Sequence, residues 1–96
     1  MGQQTRVGKY RTTVATDRDG VTRVTYHQTA VVEFDSTTIT LNTGGWATNT
    51  TKTRMNQAAS QFGLGFRVYQ HNFNWYVVFK GWTYQFNVQY PFTLTR

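Results

Sequence analysis

Residues 50–63 read TTKTRMNQAASQFG. Met55, Ala58, Ala59 and Phe62 recur at i, i+3, i+4 and i+7, the spacing of one face of an α-helix. Thr50 or Thr51 is placed to cap the start, and Gly63 to stop the end. A helix of about 12 residues is marginal in isolation, so it must lie against an apolar surface. The flanks say what that surface is, because there the hydrophobic period changes from 3.6 to 2.

Upstream, KYRTTVAT (9–16) suits a strand and DRDG (17–20) a tight turn, since Asp-Gly supplies the positive dihedrals of a hairpin. VTRVTYHQTAVVEFD (21–35) resumes the strand pattern. It is long for one strand, so a bend or bulge is expected near His27–Thr29, and the adjacent Val31 and Val32 break strict alternation. STTITLNTGG supplies a short strand ending near Asn42. Downstream, LGFRVYQHN (64–72), NWYVVFKG (74–81) and WTYQFNVQY (82–90) read as strands, with a turn at His71–Asn72. In the last of these, Trp82, Tyr84, Phe86, Val88 and Tyr90 share one face. Pro91 makes the remaining segment an edge strand or a tail. The order β-β-β-α-β-β-β predicts an α+β fold. Its form is one curved antiparallel sheet of about five to six strands packed on a single short helix. Residues 1–8 are expected to form a flexible N-terminus, and 9–96 one domain.

Cysteine is absent, which excludes disulfides and thiolate metal sites and fits a reducing compartment. No run approaches the ~20 apolar residues of a membrane span, and no apolar signal segment opens the chain. Arg6 stands where an N-myristoylation motif needs Ser or Thr. The formal net charge is +6, unevenly spread. All four acids (Asp17, Asp19, Glu33 and Asp35) lie in the first 35 residues, beside five cations. Residues 36–96 hold Lys52, Arg54, Arg67, Lys80 and Arg96 and no acid, so that segment alone carries +5. An anionic partner is the functional reading, nucleic acid being the commonest, and solubility is the plain one.

The stretch NTGGWATNTTKTRMNQ (42–57) concentrates the question. Helix N-termini favour anions, yet Lys52 and Arg54 stand at this one and no carboxylate closes a capping box. Two cations beside free backbone N–H groups suit a phosphate, and the hydroxyls of Thr48, Thr50, Thr51 and Thr53 can donate to it. Gly44 and Gly45 would let the backbone approach a ligand closely. The ordinary reading is a turn with a cap, in which Glu33 or Asp35 pairs with Lys52 or Arg54. The glycine spacing is not that of a P-loop, so ATP chemistry has no support. Trp46 is either a base-stacking platform or a lid on the core. Tyr69, Trp75, Tyr76, Trp82 and Tyr84 divide the same way, and those sharing a face with Arg67 or Lys80 are the stacking candidates. GLGFRVYQ (63–70) echoes the RNA-recognition signature only loosely.

Several features resemble small accessory proteins encoded by tailed bacteriophages. They are Tyr26-His27-x-Thr29, Val31-Val32, Leu41-Asn42-x-Gly44-Gly45-Trp46, Thr50-Thr51-Lys52-x-Arg54-Met55-Asn56-Gln57, then Val68, Gln70, and Trp75 before Val77. Together they span roughly residues 26–78. The resemblance implies a phage accessory gene product in the host bacterial cytoplasm. It assigns no activity, cofactor or residue role.

His27 and His71 are the only histidines, and neither has metal-ligand spacing to another ligand. Glu33-x-Asp35 could place two carboxylates on one strand face, but two-metal chemistry needs more. His27 with Glu33 or Asp35 is a candidate hydrolytic cluster, and a lone strand histidine is more often structural. The chain is therefore expected not to be an enzyme and to need no cofactor or metal. The leading expectation is nucleic-acid binding through phosphate contacts, with single-stranded and duplex targets both open. Lys52, Arg54, Thr50, Thr51, Trp46, Arg67 and Lys80 are the candidate contacts. The alternative is a module binding a host or phage protein, such as an inhibitor of host defence, or a virion or assembly component. No membrane partner is expected, and an exposed edge strand could make a homo-oligomer.

Overall fold

A computed structural model describes residues 11–45 and 47–96. The expected flexible N-terminus, residues 1–8, lies outside the described residues. Eight strands and one helix follow in order: β1 (Thr12–Thr16), β2 (Thr22–Tyr26), β3 (Thr29–Phe34), β4 (Thr38–Leu41), α1 (Asn49–Gln61), β5 (Phe66–His71), β6 (Asn74–Phe79), β7 (Trp82–Phe86) and β8 (Phe92–Thr95). The fold is α+β, but the single curved sheet expected from sequence is replaced by two antiparallel sheets. One has five strands in the order β1-β2-β3-β4-β8, and the other has three in the order β5-β6-β7.

Two of the hairpin turns carry no glycine. The long run 21–35 is a hairpin, because His27 adopts a positive φ of 58° and turns the chain between Tyr26 and Thr29. Asn72 and Phe73 both take positive φ, at 50° and 68°, and join β5 to β6. Such paired positive dihedrals match the right-handed twist of the strands they connect. Lys80 and Gly81 do the same between β6 and β7. The Asp17–Gly20 turn forms as the sequence predicts. The Asp17 carboxylate accepts the N–H groups of Asp19 and Val21.

The bend expected near His27–Thr29 is the His27 turn, and a bulge follows it. Val24 pairs with Val32 while Thr25 pairs with Ala30, so Val31 is the extra residue of a β-bulge. The bulge lets the neighbouring Val31 and Val32 both point inward, and both are fully buried. They join Val24, Ile39, Leu41 and Leu94 as the apolar face of the larger sheet.

The helix is capped two or three residues earlier than the sequence suggests. Thr48 is the N-cap, its hydroxyl accepting the Thr51 N–H at 3.2 Å. Gly63, at φ 62°, ends the helix as expected, and Leu64 N–H bonds back to the Ala59 carbonyl. Met55, Ala58 and Ala59 are buried where α1 packs on β5, β3 and β2. The helix thus bridges the two sheets, and Phe66, Val68, Trp75, Val77, Phe79 and Phe86 complete the core from the smaller one.

The predicted strand 82–90 stops at Phe86. Its alternation continues to Tyr90 in sequence only. The Asn87 side chain accepts the Gln89 N–H, and Tyr90 N–H bonds the Asn87 carbonyl, so a turn replaces the strand. After Pro91 the chain runs antiparallel to β4, with Leu94 opposite Ile39.

Candidate nucleic-acid interface

The strand-to-helix junction is largely satisfied from within. Asn42 and Thr43 side chains accept the N–H groups of Gly44 and Gly45. Gly44 is a packing glycine. Its φ is 62°, and a Cβ there would lie 2.8 Å or less from three atoms of the Thr29 side chain. Thr51 is fully buried beneath the cap, and Thr50 is half-buried. Trp46 lies outside the described residues.

The two junction cations part company. Arg54 is only 9% exposed. Its Nε donates to Thr12 Oγ1 at 2.9 Å, one terminal nitrogen donates to Gln57 Oε1 at 3.1 Å, and its guanidinium lies 5.7 Å from the Tyr26 ring centre. It clamps the helix to β1 and β2. Lys52 stays near the surface, donating to Gln70 Oε1 at 3.3 Å, with its ammonium 5.5 Å from the Trp75 ring centre. The pairing of Glu33 or Asp35 with either cation does not occur.

The carboxylates are engaged elsewhere. Arg23 takes Asp17 at 2.7 Å and Glu33 at 2.9 Å, the two ion pairs among the described residues. The Arg23 guanidinium, with the Val21 N–H, lowers the Asp17 pKa. Backbone N–H groups of Thr37 and Thr38 hold the Asp35 carboxyl down at about 2. Lys52, Arg54, Arg67, Lys80 and Arg96 therefore have no carboxylate partner among the described residues. His27 sits in the β2–β3 turn while Glu33 pairs with Thr40 further along the strand, so the hydrolytic cluster does not assemble. No group of three or more His, Asp or Glu able to hold a metal occurs among the described residues. No described helix is long and apolar enough to cross a membrane.

The three-stranded sheet gathers the other candidates. Arg67 faces Val78 across β5–β6, and Lys80 stands in the turn beyond, so both lie at one end. Lys52, beside Gln70 and Trp75, lies at the opposite end. Arg67 shares the outer face with Tyr69 and Tyr76, whose rings stack at 5.2 Å.

The inner face of β7 ends in the open. Trp82 is 69% exposed and Tyr84 36%, although the sequence period puts them on one face with buried Phe86. β7 and β8 are edge strands of different sheets, and between them runs an open groove lined by Phe79, Lys80, Trp82, Tyr84, Phe92 and Leu94. Sequence reading missed this groove because it depends on which two strands are edges. The only local signal was a lysine-glycine turn followed directly by tryptophan. Phe73, 93% exposed, stands at the tip of the β5–β6 hairpin, one residue past the turn expected at His71–Asn72.

No curated protein and no solved structure matches the chain. A family model does, over residues 1–93, well beyond the segment 26–78 that carried the resemblance. The chain belongs to the family described as the Kyanoviridae Gp96 protein, and is a small tailed-phage accessory protein.

Proposed function

We propose that this protein binds nucleic acid, mainly through phosphate contacts, in the cytoplasm of the infected bacterium. The observation that carries the reading is the segregation of charge. Every acid lies before residue 36, and the carboxylates of Asp17, Glu33 and Asp35 are occupied within the larger sheet. The exposed cations Arg67, Lys80 and Arg96 and the half-buried Lys52 are left with no carboxylate to neutralise them. A polyanion supplies the missing charge and gains entropy from released counterions. Arg54 drops out of the contact set because it is buried and hydrogen-bonded, and Thr51 because it is buried.

Titration against DNA and RNA at two salt concentrations tests this. If about three phosphates are engaged, log K should fall with log salt at a slope of about −2 to −3. Arg67→Glu combined with Lys80→Glu should weaken binding without lowering stability. Absence of binding even at low salt sinks the proposal. The exposed Phe73 favours a second reading, a module that binds a host or phage protein. That reading calls for an apolar contact with little salt dependence, lost in Phe73→Ala.

A further inference from the structure

The groove between β7 and β8 combines three properties. It carries flat aromatic surface exposed to solvent, since Trp82 is 69% and Tyr84 36% exposed. Tyr84 packs against Phe92 with ring centres 5.8 Å apart, and Phe92 in turn stacks on Phe86 at 5.5 Å, so the exposed ring continues a row of packed aromatics. A cation stands at its lip. Lys80 occupies a turn position at φ 52°, a conformation that L side chains adopt reluctantly, and its ammonium lies 5.3 Å from the Phe79 ring centre. No carboxylate is among the lining residues.

From this geometry we infer that the groove binds single-stranded nucleic acid. Bases stack on Trp82 and Tyr84, and Lys80 contacts the backbone phosphate. The inference rests on the nucleic-acid reading above and gives it a place and a strand preference. Stacking needs bases whose faces are free, which a duplex hides inside its own stack, so the site selects single strands. Exposed aromatic rings beside one cation can stack on any base, which gives affinity with little sequence preference. Charge complementarity separates this occupant from an apolar peptide added to the β7 edge. A neutral strand would leave Lys80 without a counter-charge.

The test uses the full chain with labelled oligothymidylate, oligouridylate and a DNA duplex of equal length. The single strands should bind at least tenfold more tightly than the duplex. Trp82→Ala should lower single-strand affinity by about tenfold to a hundredfold, whereas Trp82→Phe, which keeps a ring, should retain most of it. Lys80→Gln should reduce the salt slope by about one. Thermal melting and far-ultraviolet circular dichroism confirm that each variant is folded, and Trp82 is exposed enough for the truncation to be tolerated. Equal binding of duplex and single strand, or unchanged affinity in folded Trp82→Ala, overturns the groove assignment and leaves phosphate binding standing. Loss of all binding in the parent protein at low salt overturns both.

Discussion

The carboxamide of Asn56 closes the backbone of Val68 on its open side. Its Nδ2 donates to the Val68 carbonyl at 2.9 Å and its Oδ1 accepts the Val68 N–H at 2.7 Å. β5 is an edge strand, and a helix side chain here supplies both bonds that a further strand would have made. Asn56→Ala leaves two part-buried backbone groups without that partner and should cost about 1–3 kcal/mol of stability. Amide exchange at Val68 should accelerate more than at its neighbours.

Arg54 should behave as a structural residue. Arg54→Ala removes bonds to Thr12 and Gln57 together and should lower stability by roughly 2 kcal/mol. Arg54→Lys keeps the charge but loses the fork, so it should rescue only part. Urea denaturation checks both variants. Retained nucleic-acid affinity in the folded lysine variant would fit the clamp role, and lost affinity would return Arg54 to the contact set.

Gly44→Ala should be among the more damaging small substitutions. It places a methyl into the Thr29 side chain at a backbone position of positive φ. Overpacking alone costs about 1–3 kcal/mol, and the dihedral adds about 1. Combining it with Thr29→Ser should recover part of the loss, because the clash involves the threonine methyl as well as its oxygen.

Phe73→Gly should stabilise. The phenylalanine has φ 68° and is 93% exposed, so its side chain contributes little packing to offset the strained backbone. Glycine in the same turn should raise stability by about 1 kcal/mol, read as a higher urea midpoint. A fall would mean that the ring holds the hairpin together.

Asp35 should govern part of the acid limb. Its folded pKa, lowered to about 2 by the Thr37 and Thr38 N–H groups, sits below the usual unfolded value of about 3.9. A depressed carboxyl stabilises the fold above the unfolded pKa, and the contribution is lost as pH falls through about 2. The stability gap between the parent and Asp35→Asn should therefore be full above about pH 4 and close towards pH 2. Melting temperatures across that range measure it, and a gap independent of pH would count against a charge-dependent bond.

The helix was legible in the sequence because Met55, Ala58, Ala59 and Phe62 repeat on one face. The same period, run back one turn, reaches Thr51 and Arg54, which are buried on that stripe. The charge of Arg54 drew it toward the surface in the sequence reading, whereas its position in the repeat placed it inside. The doublet Val31–Val32 signalled an irregularity, and the bulge sits on it. The turn expected at His71–Asn72 forms one residue further on, at Asn72–Phe73, and the break expected near His27–Thr29 is a full hairpin turn, with positive dihedrals on His27, Asn72 and Phe73 rather than on glycine. The partition into two sheets has no local signal, since periodicity shows which residues face inward but not which strands pair. For the same reason the sequence offered the exposed cations but not the groove, which exists only where two unrelated strand edges meet.

The pairing of β8 with β4 carries a kinetic consequence. Thr40 and Thr93, 53 residues apart, meet across that ladder with their hydroxyls 3.1 Å apart. Everything between them, the helix and the whole three-stranded sheet, is enclosed in one loop. The hairpins inside the loop can form early from neighbouring segments, but the larger sheet acquires its last strand only after a long loop has closed. Refolding should accordingly show β8 acquiring protection last, at a rate set by that closure.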